Sequence, residues 1–165
     1  MTFSKIKSYA KINLALNVTG KNSFLHKIES IVAFIDLHDE ILIKGIESSK
    51  HQILFTGKFS QKIGKKNTIS KLLKILEDKK LLKGRKFFVK IEKRIPHKSG
   101  LGGGSMNAAS ILKYFIEKKI IRINKNDISK ISNLVGSDMI LGIISKNSIL
   151  TSNNKIKYFE KRKNI

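Results

Sequence analysis

The residues best placed to do chemistry lie in one stretch, Pro96-His97-Lys98-Ser99-Gly100-Leu101-Gly102-Gly103-Gly104-Ser105, with four glycines in the five positions 100–104. Binding a phosphate through main-chain amides requires several N–H groups to converge on one point, and side chains obstruct that. Glycine removes the Cβ and permits positive φ, so successive amides can turn inward as an anion nest. A helix predicted to start near Ser105 would add its N-terminal partial positive charge. Ser105 itself could cap that helix, donate to a phosphate oxygen or help to hold a magnesium ion. Other phosphate loops do not match. A Walker A loop ends in Gly-Lys-Ser/Thr, which is absent, and G-x-G-x-x-G started at Gly100 meets Ser105 where glycine is required. The protein-kinase loop fails at the same position. The competing interpretation is a loop that merely turns a corner, but four glycines ahead of a helix would carry a large entropic cost for that role.

The elements that must position this loop follow from periodicity. Residues 3–19 alternate loosely, with Ile6, Ile12, Leu14, Leu16 and Val18 apolar, which predicts a strand or strand pair with one buried face. Thr19-Gly20-Lys21-Asn22 is turn chemistry. A second extended block runs over 26–37, His38-Asp39 reads as a short break, and 41–43 and 52–55 read as further strands. Over 67–82 the period becomes helical through Ile69, Leu72, Leu73, Ile75 and Leu76, with Asn67 or Thr68 as the cap and Gly84 as the stop. A strand over 87–91 leads into the loop, and an amphipathic helix follows through Ala108, Leu112, Phe115 and Ile116. A short helix through Ile128, Ile131 and Leu134 ends at Gly136-Ser137-Asp138. The fold class expected is α+β: a strand-rich first third, with helices over one face of the sheet.

Composition bounds the function. The 165 residues are 41% hydrophobic and include no cysteine, so disulfides and thiolate metal sites are excluded and a reducing compartment fits. Lys5, Lys7 and Lys11 precede an apolar stretch, but Asn13 and Asn17 break it, which argues against a signal peptide. No run is long enough to span a membrane, and a cytoplasmic protein is the expectation. The net charge of +22 would attract polyanions such as RNA. The lysines are spread along the chain without interleaved Tyr or Phe, so the preferred reading is the Lys and Ile usage of an AT-rich genome, with nucleic acid set aside as a partner. Residues 1–150 read as one domain and 151–165 as a poorly patterned basic tail.

Taken together, Pro96…Gly100-Leu101-Gly102-Gly103-Gly104-Ser105…Asn107-Ala108-Ala109 resembles the central motif of the GHMP kinases. Ala10-Lys11-Ile12-Asn13-Leu14 with Val18-Thr19-Gly20, and His26 after it, is similar to that superfamily's first motif; Leu134-Val135-Gly136-Ser137-Asp138 resembles its Leu-Gly-Ala-Asp element. The resemblance runs from about Ser8 to Asp138 and implies the GHMP N-terminal fold and ATP with Mg²⁺ as cofactors. The implied reaction is phosphorylation of a hydroxyl of 4-diphosphocytidyl-2-C-methyl-D-erythritol, in non-mevalonate isoprenoid biosynthesis. It also implies residue roles: Asp138 as base with Lys11 beside it, and Asn13 and His26 on the cytidine diphosphate-linked sugar alcohol. Pro96, Gly100, Leu101, Gly102, Gly103, Gly104, Ser105, Met106, Asn67 and Lys93 would meet the nucleotide. The sequence departs from the pattern at Leu25, where tyrosine is usual, at Met106, the second serine of the loop, and at Met139-Ile140-Leu141-Gly142, where Val-Pro-x-Phe is usual. The family's second domain is expected to be truncated away here, so that a partner chain would complete the substrate wall and the short chain alone would turn over weakly or not at all. Another GHMP kinase with a different alcohol substrate, or a basic RNA-binding α+β domain, remain as alternatives.

Overall fold

The computed structural model of the chain describes residues 2–21, 26–61, 63–151 and 156–158, with the side chains of residues 21 and 26–28 outside that description. Two long antiparallel strands, β1 (Ser4–Lys21) and β2 (His26–Ile46), open the fold. They are followed by β3 (Gln52–Thr56), α1 (Thr68–Asp78), β4 (Lys86–Glu92), α2 (Gly103–Glu117), α3 (Lys125–Val135), α4 (Met139–Ile144), β5 (Ser148–Leu150) and β6 (Ile156–Tyr158). The sheet is mixed: β4 pairs antiparallel with β2 and parallel with β3, while β5 pairs with the outer part of β2 and β6 with β5. This is the α+β architecture expected.

Alternation in β4 explains the core. Phe87, Val89 and Ile91 are buried while the residues between them are half-buried, so one sheet face is sealed. Against it lie Ile41 and Ile43 of β2, Ile69, Leu72, Leu73 and Leu76 of α1, and Ala108, Ile111, Leu112 and Phe115 of α2. On the opposite face Phe3 meets Phe88 edge-on at 6.0 Å, under the Lys44 ammonium. Asn67 caps α1: its side-chain oxygen accepts from the Ile69 and Ser70 amides, and the Ser70 hydroxyl accepts from its own N–H.

Three details differ from the sequence reading. His38-Asp39 is not a break; β2 runs through it without interruption because Asp39 finds its partners inside the protein. Leu14, Leu16 and Val18 are 60, 52 and 54% exposed and do not form a buried face, since the outer half of the β1–β2 hairpin extends past the described helices. Residues 156–158, assigned to the tail, add a strand to the sheet.

Candidate active site

The loop at 96–105 connects β4 to α2, and three ties fix its course. The Lys11 amide of β1 donates to the Leu101 carbonyl at 3.1 Å, the Thr68 hydroxyl of α1 donates to the Gly104 carbonyl at 2.8 Å, and the Met106 amide donates to the Gly102 carbonyl at 2.9 Å. Gly100 and Gly102 have φ of +77° and +71°, the left-handed region that glycine enters without strain. Helix α2 begins at Gly103, capped by Gly102 and without any side-chain cap, so Ser105 lies inside the first turn and not at the cap position offered by the sequence. Its hydroxyl lies instead 2.9 Å from where a Cβ on Gly136 would stand. With no side chain spent on capping, the first-turn amides of α2 keep their donors for an anion.

Beside the loop is a cleft of about 510 Å³ lined by Asn67, Lys93, Pro96, Gly100, Gly102–Gly104, Ser105 and Asn107, with Phe55, Ile63 and Lys66 also in its lining. That volume falls in the range of small-molecule and cofactor sites. Leu101 and Met106 are not among the lining residues. Leu101 contributes its carbonyl to Lys11, and the Met106 side chain packs with Val32 and Leu141 in a small second core. The Asn67 side chain is fully engaged as a cap, its amide donating to the Gly64 and Lys65 carbonyls.

Lys11 reaches the loop because of an irregularity where its strand pairs with β2. Between Tyr9 and Lys11 the β1–β2 register shifts, residues 35–37 standing opposite Ala10 alone, and the alternation breaks so that Ala10 and Lys11 both turn inward. The Lys11 side chain is only 6% exposed, its stem lying under Gly102, where a Cβ would come within 3.0 Å of Cγ and 3.2 Å of Cε. Its ammonium lies 3.2 Å from the Asn13 side-chain oxygen and 3.1 Å from Asp138 Oδ2. Asp138 occupies the N-cap position of α4 but makes no capping hydrogen bond. Its carboxylate is turned to Lys11 and remains one-third exposed, open to a substrate. Lys11 and Asn13 of β1 and Asp138 at the start of α4 thus converge beside the glycine loop. The His26 side chain and residue Leu25 lie outside the described residues.

Sequence reasoning missed Asp39. Its fully buried carboxylate accepts from the Arg94 and Ile95 amides and the Asn107 side chain, each at 2.8 Å, and pairs with the Lys93 ammonium. No signal in the sequence singled it out, since β2 also carries Glu29, Asp36 and Glu40.

Residues 67–146 match the GHMP kinases N terminal domain, the span that carries the α1 cap, the loop, α2 and the Asp138 turn. This chain carries a GHMP kinase N-terminal domain. A GHMP relative from Pelagibacter ubique, 4-diphosphocytidyl-2-C-methyl-D-erythritol kinase, is 62% identical over 162 residues, which is 98% of this chain and 58% of that protein. The protein of the same name from Clostridioides difficile is 34% identical over 141 residues, 84% of this chain and 47% of its own length. The chain therefore spans about half the length of the GHMP kinases it matches. A likeness of fold extends to the crystal structure of 4-(cytidine 5'-diphospho)-2C-methyl-D-erythritol kinase, with a TM-score of 0.74 at 21% identity over 94% of this chain and 55% of that one. A crystal structure of mevalonate kinase is similar at a TM-score of 0.63 and 18% identity, over 96% of this chain and 56% of that one. Among the described residues no helix is long and apolar enough to cross a membrane.

Proposed function

We propose that the chain is the ATP-binding unit of a kinase that phosphorylates a hydroxyl of 4-diphosphocytidyl-2-C-methyl-D-erythritol, in isoprenoid biosynthesis in the cytoplasm. The observation that carries this reading is the Lys11–Asp138 pair at 3.1 Å beside the loop, with the Asp138 carboxylate free of its capping position. Phosphoryl transfer asks the protein for positioning, charge compensation and a proton acceptor. The first-turn amides of α2 and the left-handed glycines would hold the triphosphate, and the cleft past Pro96 and Asn67 would take the nucleoside. The substrate hydroxyl oxygen attacks the γ-phosphorus, the bond to the β-phosphate oxygen breaks, ADP leaves, and the hydroxyl proton passes to Asp138. Lys11, already beside that carboxylate, offers its ammonium to the charge spread over the transferring oxygens. Asn13 holds the Lys11 ammonium from the substrate side, and His26 would meet the cytidine end.

Among the described residues no three His, Cys, Asp or Glu side chains come together as a metal site. The Ser105 hydroxyl, in the first turn of α2, is an oxygen donor suited to a magnesium ion that keeps water and phosphate as its main ligands. When bound, such an ion would neutralise phosphate charge. The part of the relatives' length that this chain does not match would supply the rest of the substrate wall, from further sequence after residues 151–165 or from a partner chain.

Calorimetric titration with ATP tests the reading. Saturable binding is expected, lost in Gly103→Val, whose Cβ would sit 3.0 Å from Ile95 Cγ2 and 3.2 Å from the Lys93 ammonium. Asp138→Asn should leave binding intact and remove any ADP release with the cytidyl substrate. RNA binding that falls steeply with salt and ignores both substitutions, in place of ATP binding, would overturn it.

A further inference from the structure

We propose that Asp39, a residue of β2 that belongs to none of the motifs of the site, is the positioning residue of the phosphate loop. The inference rests on the reading of that loop as the nucleotide site. A carboxylate with no exposure is costly to bury and persists only when its lone pairs are satisfied. Asp39 meets that condition, and its partners are distributed in a particular way. Its Oδ1 accepts from the Arg94 and Ile95 amides, the last residues before the loop, at 2.8 Å each. Its Oδ2 accepts from the Asn107 side-chain amide, in the second turn of α2, at 2.8 Å, and pairs with Lys93. One carboxylate therefore pins both stems of residues 96–105 to the middle of β2.

The same network sets a charge under the helix. Lys93 is 4% exposed, and its ammonium lies 3.2 Å from where a Cβ on Gly103 would stand, directly below the first turn of α2. Asp39 fixes that ammonium in place, so the positive end of α2 and the buried cation are superposed where phosphate charge would arrive. Only the Nδ2 of Asn107 can face the carboxylate, which fixes the amide's orientation; its Oδ1 is consequently buried without a partner. An ordinary core contact would not need such a mismatch.

The test uses the 165-residue chain, with nucleotide affinity by calorimetry and hydrogen exchange by NMR at the Lys11 and Met106 amides, which donate to the Leu101 and Gly102 carbonyls. Asp39→Asn turns a second amide donor toward Asn107 and Lys93 and should weaken ATP binding by at least about tenfold, the worth of one charge-assisted hydrogen bond. The exchange Asp39→Asn with Asn107→Asp returns a donor–acceptor match at unchanged net charge and should recover most of that loss. A Tm that falls in the single variant while affinity and loop exchange stay at wild-type values would reduce Asp39 to a core residue and overturn the proposal, as would a swap no better than the single variant. Should Asp39→Asn not fold, Asn107→Ala keeps the Lys93 pair and both amide contacts. Faster exchange at Lys11 and Met106, with the amides of Val89 and Ile91 unchanged, is then expected, and unchanged exchange overturns the proposal. If the wild-type chain binds no nucleotide, the reading of the loop as a nucleotide site fails, and the exchange measurement alone decides whether Asp39 sets the loop.

Discussion

Alanine at Gly100 and at Gly102 should have different consequences, and the difference isolates what the loop does for Lys11. Both glycines are left-handed, at φ +77° and +71°, so each substitution places a Cβ in a conformation that costs about 1–2 kcal/mol. At Gly100 nothing lies within 4 Å of the added atom, and that cost is the whole effect. At Gly102 the Cβ would lie 3.0 Å from Lys11 Cγ and 3.2 Å from Cε. The Lys11 stem cannot swing clear, because its side chain is 6% exposed and its ammonium is held by Asn13 and Asp138. Overpacking a site of this kind costs a further ~1–3 kcal/mol. Chemical denaturation should therefore place Gly100→Ala about 1–2 kcal/mol and Gly102→Ala roughly 2–5 kcal/mol below the wild type, the two ranges adding the costs just named. For a chain of this size each kcal/mol corresponds to about 2–4 °C in Tm. Lys11→Ala removes the obstructing stem, so in that background the two substitutions should converge. Equal losses in the wild-type background, or a gap that survives in Lys11→Ala, would refute the claim that Gly102 is glycine to make room for Lys11.

Other substitutions probe neighbouring parts of the argument. A Cβ on Gly142 would come within 2.6 Å of Ala109 Cβ and 3.0 Å of Met106 Sδ, so Gly142→Ala should separate α4 from α2 and lower stability by ~1–3 kcal/mol in a denaturant titration. Asn67→Ala removes the α1 cap and should cost ~1 kcal/mol by the same measurement, while Asn67→Ser recovers most of it. Acid should destabilise the fold in two stages. Burial holds His51 below its ordinary 6.5, and its Nδ1 accepts the Phe87 amide at 3.0 Å as a neutral ring, so stability should decline as pH falls below about 6.5, where the unfolded chain takes a proton that the folded one resists. The Lys86 ammonium holds Glu77 below its ordinary 4.5, and that contribution is present above 4.5 and lost as pH falls further. Denaturation midpoints from pH 8 down to about 3 should show both declines, with His51→Gln flattening the upper one.

The parts of the site legible in the sequence are those in which backbone chemistry dictates residue type. Gly100 and Gly102 stand where positive φ is needed, and Asn67 stands where α1 leaves unpaired amides. Periodicity likewise revealed β4 and α1, because each buries one face against a continuous core. The same logic misplaced Leu14, Leu16 and Val18: alternation reports that a strand has two different faces, but not that the helix layer reaches far enough to cover one of them. It also offered Ser105 as a cap, when a left-handed Gly102 already caps the helix three residues before it. Asp39 and the inward turn of Lys11 were invisible for a related reason. Each depends on a partner more than 50 residues away, Lys93 in one case and Asp138 in the other, and no local pattern records which side chains a sheet will bring under a loop. A buried carboxylate looks in sequence like an interruption, and only its four donors reveal it as a fastening point. In this fold the motif residues supply the groups that would face a nucleotide, while a residue belonging to no motif joins the two stems that carry them.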